Sequence, residues 1–188
     1  MQLKISSISN LTDARFFSAI GAHFLGFTFD ALNENNISIS KAQEIINWLY
    51  QPNIVGEFGI HQTKDEIEFI AQQMNLNEIE IPFLHEEKIN LNFEKFLSIG
   101  DWTSINEPQH SDFLILKIKE LDVQNSKLKQ IISTNNVFIE TNFTKENILS
   151  IVESLQPYGI QISCKKEEKT GLSAVDEYAE LLEIIGFS

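Results

Sequence analysis

Gly21-Ala22-His23-Phe24-Leu25-Gly26-Phe27-Thr28-Phe29 is the stretch that decides the fold. Its glycine closes a helix-period segment over residues 12–20, and a nearly unbroken apolar run over 24–29 follows almost at once. Such runs belong to strands covered on both faces, as parallel strands flanked by helices are. Residues 3–8, ahead of the helix, read as another strand, so the first 29 residues form one strand–helix–strand unit.

The alternation continues outward. Ser40 and Gln43 are expected to form a capping box opening a helix that runs to residue 50, before a strand over 54–58. Thr63 and Glu66 repeat the box for a helix ending near residue 74, and residues 78–81 make a strand ended by Pro82. Strands are expected over 93–99, 113–118, 137–140 and 160–164. Helices are expected over 123–133, over 145–155 with Thr144 as N-cap, and from Ser173 and Asp176 onward. Ala174, Val175, Tyr178, Leu181, Leu182 and Ile185 form the apolar stripe of that last helix. Between the fourth and sixth strands the rhythm weakens: residues 85–91 hold a turn or two of helix at most, and 103–111 contain Pro108 without helical periodicity. Eight β–α units predict an α/β fold, a (β/α)8 TIM-type barrel over residues 1–188, trimmed so that helices 4 and 5 are short or missing.

Composition narrows the function. The 188 residues are 43% hydrophobic and 22% charged, an ordinary globular balance. No apolar run approaches the roughly 18 residues of a membrane span, and the start moves straight into strand-like sequence, so a cytoplasmic location is expected. The one cysteine, Cys164, excludes an internal disulfide and is read as a buried core thiol. Fourteen basic against 27 acidic residues give a net charge of −13, and Arg15 is the only arginine. Nucleic acid, which demands a basic face, is excluded as a partner. His23, His61, His85 and His110 lack metal-ligand spacing, and no metal or cofactor is expected.

Several stretches are similar to phosphoribosylanthranilate isomerase, the barrel enzyme of tryptophan biosynthesis. Lys4-Ile5-Ser6-Ser7-Ile8-Ser9-Asn10 stands where that family writes Lys-Ile-Cys-Gly-Ile-Thr. Asp13-Ala14-Arg15 and residues 21–29 match its "DAR…GAD.LGFVF", Ser40 falls on "VSPEQA", and Val55-Gly56-Glu57-Phe58 falls on "VGVF". Residues 143–148 resemble "LTPENV" and 158–163 resemble "YGVDVSS". The resemblance implies an intramolecular isomerase that performs an Amadori rearrangement on a phosphorylated substrate.

The same alignment shows what has changed. The family base is the cysteine of Lys-Ile-Cys-Gly, here Ser6, and the family acid ends strand six, here Lys117. A serine hydroxyl is a poor base without a neighbour to take its proton. The glycine pairs that hold phosphate in the family read Thr141-Asn142 and Cys164-Lys165, and no two of the eight glycines are adjacent. The Gly-Gly-Thr-Gly loop has no counterpart over 119–125, and the arginine after strand two aligns with Asn36 or Ile37. Losing one acid or base commonly costs a factor of about 10²–10⁴.

The expected reading is therefore a relative without the parent activity that binds a ligand or partner. Its alternatives are an active isomerase, or a repurposed enzyme using Lys117 with a strand-end glutamate. Candidate ligand-binding residues are Lys4, Glu57, Glu80, Glu140, Thr141, Asn142 and Lys165. In one reading Lys117 opposes Glu57, Glu80 or Glu140 in a rebuilt pocket for a phosphorylated or other small molecule; in the other these charges pair internally or reach solvent. Lys4 is read as either an ion-pair member or a ligand contact. Lys165 and Lys166 either meet an anion or are solvated, with Glu167 and Glu168 following. Phe16, Phe17, Phe24, Phe27 and Phe29 are expected in the core. With two helices short, Phe83, Phe93, Phe96 and Trp102 are expected to form an exposed apolar patch for a homodimer through the strand 4–6 side.

Overall fold

In the computed structural model each apolar run becomes a short strand, and the eight strands close on one another. The structure describes residues 1–50, 52–86, 91–104, 111–165 and 175–187. The strands are β1 (Gln2–Ser6), β2 (Phe24–Thr28), β3 (Asn53–Glu57), β4 (Glu78–Pro82), β5 (Glu94–Ile99), β6 (Phe113–Lys117), β7 (Val137–Glu140) and β8 (Gly159–Ser163). Each pairs in parallel with the next, and β8 returns to β1 through registers such as Lys4 with Gln161. The helices are α1 (Leu11–Ala19), α2 (Ile39–Ile46), α3 (Lys64–Met74), α4 (Phe83–Glu86), α5 (Ser126–Thr134), α6 (Ile148–Leu155) and α7 (Val175–Glu183).

Strand alternation sorts the side chains into two cores. Outward-facing Leu3, Ile5, Leu25, Phe27, Ile79, Ile81, Leu114, Leu116, Ile139 and Ile160 pack against helix residues such as Ala14, Phe17, Ile45, Ile67 and Ile151. Inward-facing Phe24, Val55, Phe96, Phe113, Ile115 and Phe138 form a separate cluster inside the barrel. Its four phenylalanine rings lie 4.5–6.0 Å apart, mostly edge to face. This plug fills the lower barrel, so inward polar residues nearer the strand ends sit on an apolar floor.

Among the described residues, α4 spans four residues and a 3-10 turn at Trp102–Ser104 follows β5, while residues 87–90 and 105–110, on which the expectation of short or missing helices 4 and 5 also falls, lie outside the described residues. Four local expectations change. Ser38, not Ser40, caps α2, because its extended backbone lets its hydroxyl accept from the Lys41 amide at 3.2 Å. The 123–133 helix is divided into a 3-10 turn at Glu120–Gln124 and α5, since the Asn125 side chain accepts from the Lys127 and Leu128 amides and starts a new helix. Thr144 is not the N-cap of α6; the Asn147 side chain accepts from the Thr144 amide at 2.8 Å and holds the intervening residues in a turn. The Thr63–Glu66 capping box forms as expected, whereas Ser173 and Ala174 lie outside the described residues.

The apolar patch is the fourth correction. Phe96 is fully buried in the inner plug and Trp102 is 4% exposed, packed in the outer core. Phe83 and Phe93 pack partly buried against the same core. The dimer expected on that side loses the surface that motivated it. Phe17, Phe24, Phe27 and Phe29 are buried, and Phe16 is half-buried.

Candidate functional site

Above the phenylalanine plug, alternation turns Lys4 of β1, Glu57 of β3, Glu80 of β4, Glu140 of β7 and Gln161 of β8 toward the barrel axis. Lys4 is fully buried, with its Nζ 5.6 Å from the Phe96 ring centroid. It donates to Glu57 Oε1 at 2.8 Å and to Glu80 Oε2 at 2.7 Å. Burial pulls the ammonium down, but Glu57 and Glu80 more than offset this and hold its pKa above the ordinary lysine value. One cation cannot fully neutralise two carboxylates. Burial and the Glu57 charge raise Glu80 to about 7, against the opposing pull of Lys4.

Glu57 has a second task. Its Oε2 accepts the Ser7 amide at 2.9 Å, and Ser7 has φ 60°, a left-handed conformation that disfavours a side chain. The carboxylate's bond to that amide offsets part of the strain of holding a side chain at this φ. Gly26 makes room for this carboxylate: a Cβ there would lie 1.9 Å from Glu57 Oε1.

The strand ends open into a cavity of about 290 Å³. Ser6, Glu57, Glu80, Glu140 and Lys117 all line it. Ser6 is buried, and its hydroxyl lies 3.3 Å from that of Ser7. Lys117 is more than half exposed and stands 3.5 Å from Glu140 Oε2. Glu140 also accepts from Gln161 Nε2 at 3.1 Å and from the Ser163 hydroxyl at 3.2 Å. The β2–α2 loop supplies Asp30, Asn33, Glu34 and Asn35 to the rim. Asn35 Nδ2 reaches the Cys164 carbonyl at 3.0 Å, tying that loop to the strand beyond β1. Among the described residues, no histidine or arginine lines the cavity. Cys164 borders it, but its thiol packs in the outer core, and burial with the Asp13 and Glu57 charges keeps it protonated.

Thr141, Asn142 and Lys165 belong to a different space of about 530 Å³ between the β7–α6 turn, β8 and α7, which Glu140 also borders. The Lys165 ammonium lies 2.9 Å from Glu177, and Lys145 is paired with Glu180. Lys166, Glu167 and Glu168 lie outside the described residues. Among the histidines, His85 is buried and bonded through Nε2 to the Gln62 carbonyl, and His23 accepts from the Leu3 amide; His110 lies outside the described residues.

No family model matches the chain. An N-(5'-phosphoribosyl)anthranilate isomerase of Chloroherpeton thalassium is 25% identical, with 95% of this chain and 92% of the relative covered. Curated relatives of the same name from Rubrobacter xylanophilus and Clostridium beijerinckii are each 23% identical. The crystal structure of the Thermus thermophilus isomerase matches with a TM-score of 0.77 at 21% identity, over 98% of both chains. Another, in complex with reduced 1-(o-carboxyphenylamino)-1-deoxyribulose 5-phosphate, matches with a TM-score of 0.77 at 20% identity over 97% of both. These likenesses establish the barrel along nearly its full length.

Sequence reasoning had singled out the strand-end charges but missed Ser7, Asp30, Asn35 and Gln161. Gln161 and Ser163 were within reach, because the alternation in Gly159-Ile160-Gln161-Ile162-Ser163 places them on one face. Asn35 carried no signal, since only the folded loop brings it to β8.

Proposed function

We propose that this chain is a diverged member of the phosphoribosylanthranilate isomerase family that no longer performs the Amadori rearrangement and binds a small ligand at its barrel mouth. The carrying observation is the pair of strand ends. The Ser6 hydroxyl meets a second hydroxyl rather than a base, and Lys117 stands in the acid position beside Glu140. A serine hydroxyl bonded to another hydroxyl is a poor base, and general acid–base catalysis requires a group that takes the proton. Electrostatics argue the same way. Asp30, Glu34, Glu57, Glu80 and Glu140 line the cavity against Lys117, with Lys4 beneath. A substrate bearing a phosphate and a carboxylate would enter a field of its own sign. The cytoplasm is the location we infer; no helix among the described residues is long and apolar enough to cross a membrane.

One observation favours a second reading. A carboxyl raised to about 7, such as Glu80, suits proton transfer at neutral pH, which a repurposed enzyme would use. Purified protein incubated with phosphoribosylanthranilate, with loss of anthranilate fluorescence followed, tests whether the isomerase reaction is gone. The proposal expects no rate above the uncatalysed background and no rescue of a tryptophan auxotroph lacking the isomerase. Enzyme-like turnover would overturn it.

A further inference from the structure

Glu57 and Glu80 are direct partners across the β3–β4 pairing, and both point into the barrel. Like charges so placed repel. The cation between them is Lys4, which donates to Glu57 Oε1 at 2.8 Å and to Glu80 Oε2 at 2.7 Å. The group is one positive charge short, and a proton on one carboxyl removes the deficit. Hydrogen bonding decides which one. Both Glu57 oxygens accept from N–H donors, Oε1 from Lys4 and Oε2 from the Ser7 amide at 2.9 Å, and a proton there would weaken one of these bonds. Glu80 Oε1 accepts no hydrogen bond among the described residues, and its side chain is 13% exposed and lines the cavity. The proton therefore belongs on Glu80, in keeping with the rise of that carboxyl to about 7.

The same cavity holds a cation with little to keep it in place. Lys117 ends β6 more than half exposed, its Nζ 3.5 Å from Glu140 Oε2. Glu140 already accepts from two neutral donors, Gln161 Nε2 and the Ser163 hydroxyl. Among the described residues that line the cavity, Lys117 is the one cation. We propose that the mouth carries a proton-operated latch: with Glu80 neutral, Lys117 stays at the rim, and with Glu80 ionised, its ammonium swings inward to bridge Glu80 and Glu140. No other group around Glu80 can take that part. Lys4 is already shared between two carboxylates, and the β5 neighbour of Glu80 is the apolar Phe96. Glu57 and Glu140, with Asp30 and Glu34 at the rim, add negative charge. On β4 itself, Glu78 lies two residues lower, opposite Glu94. Ionisation thus adds a carboxylate that Lys117 is left to meet, so the latch closes as pH rises and opens as pH falls. The device stands whether or not the mouth takes a ligand.

An NMR titration of the whole protein tests it, observing the glutamate side-chain carboxyl carbons and the lysine Cε resonances. Glu80 should titrate near neutrality while Glu57 stays ionised through that range, and the Lys117 Cε resonance should shift with the Glu80 midpoint. Lys117→Met should raise the Glu80 midpoint by about one unit, because a cation drawn in by a carboxylate must in turn favour its charged form. Lys117 is more than half exposed, so this variant should fold. Glu80→Gln should abolish the Lys117 transition. If that variant melts early, crystal structures of the unaltered protein below and above the Glu80 midpoint carry the same test, and Lys117 should contact Glu80 only in the second. A Lys117 resonance indifferent to the Glu80 titration, a Glu80 midpoint unmoved in Lys117→Met, a proton found on Glu57 instead, or one Lys117 position in both crystals would each overturn the latch.

Discussion

Lys4 illustrates how a single buried charge organises its surroundings. It has no exposure, sits above Phe96, and is held by two carboxylates. Removing one member of such a group strands the others in a low-dielectric interior. Lys4→Met should therefore cost about 3–5 kcal/mol in urea unfolding, and adding Glu57→Gln and Glu80→Gln should recover part of it. Glu80 gives the protein a pH dependence of stability. Its folded pKa is about 7 against an ordinary 4.5, so between those values the native state holds a proton that the unfolded chain has released. Stability is accordingly fullest below the lower value, falls as pH rises through the interval, and levels off above 7. At 1.36 kcal/mol per pH unit, and discounted for partial exposure of the carboxyl, the fall is about 2 kcal/mol. Glu80→Gln should abolish that slope in melts run across the interval; an unchanged slope would assign it elsewhere. The Lys4 environment was half legible in the sequence, because an ion pair was one of its two readings. Which acids it meets depends on three separate strands, and no local pattern reports that.

Elements were more legible than their ends. The eight apolar runs became eight strands within a residue or two, because burial on both faces demands continuous apolar sequence. The Thr63–Glu66 box formed because both of its hydrogen bonds lie within four residues. Thr63→Ala should lower the melting free energy by about 1 kcal/mol, read from chemical denaturation, with the barrel otherwise unchanged. Helix starts were misread wherever an asparagine or a second serine competed. Asn125, Asn147 and Ser38 each bind nearby backbone, and short range alone does not say which competitor wins. The weakened rhythm between the fourth and sixth strands did not report where its aromatic residues go. Trp102 folds inward where an exposed patch was expected, because burying a large apolar side chain is favourable.

The whole molecule has the barrel architecture of the isomerases it resembles, and acidic side chains outnumber basic ones around its mouth. Closure of β8 on β1 brings Gln161, Lys4 and Glu140 to one level, and the phenylalanine plug below keeps that level near the opening. Barrels of this kind host chemistry at their strand C-terminal ends, so altering a few strand-end residues changes function without disturbing the fold. On the proposed reading, writing two of the isomerases' residues into the strand ends does not supply their reaction. Ser6→Cys with Lys117→Asp should give no more than trace isomerase activity in the anthranilate fluorescence assay, since the added carboxylate deepens a field that is already negative around the mouth. The most direct test remains the unaltered protein with phosphoribosylanthranilate as substrate. This account predicts a rate indistinguishable from buffer alone at micromolar protein; a kcat within the ordinary enzymatic range of about 1–10³ s⁻¹ would contradict it.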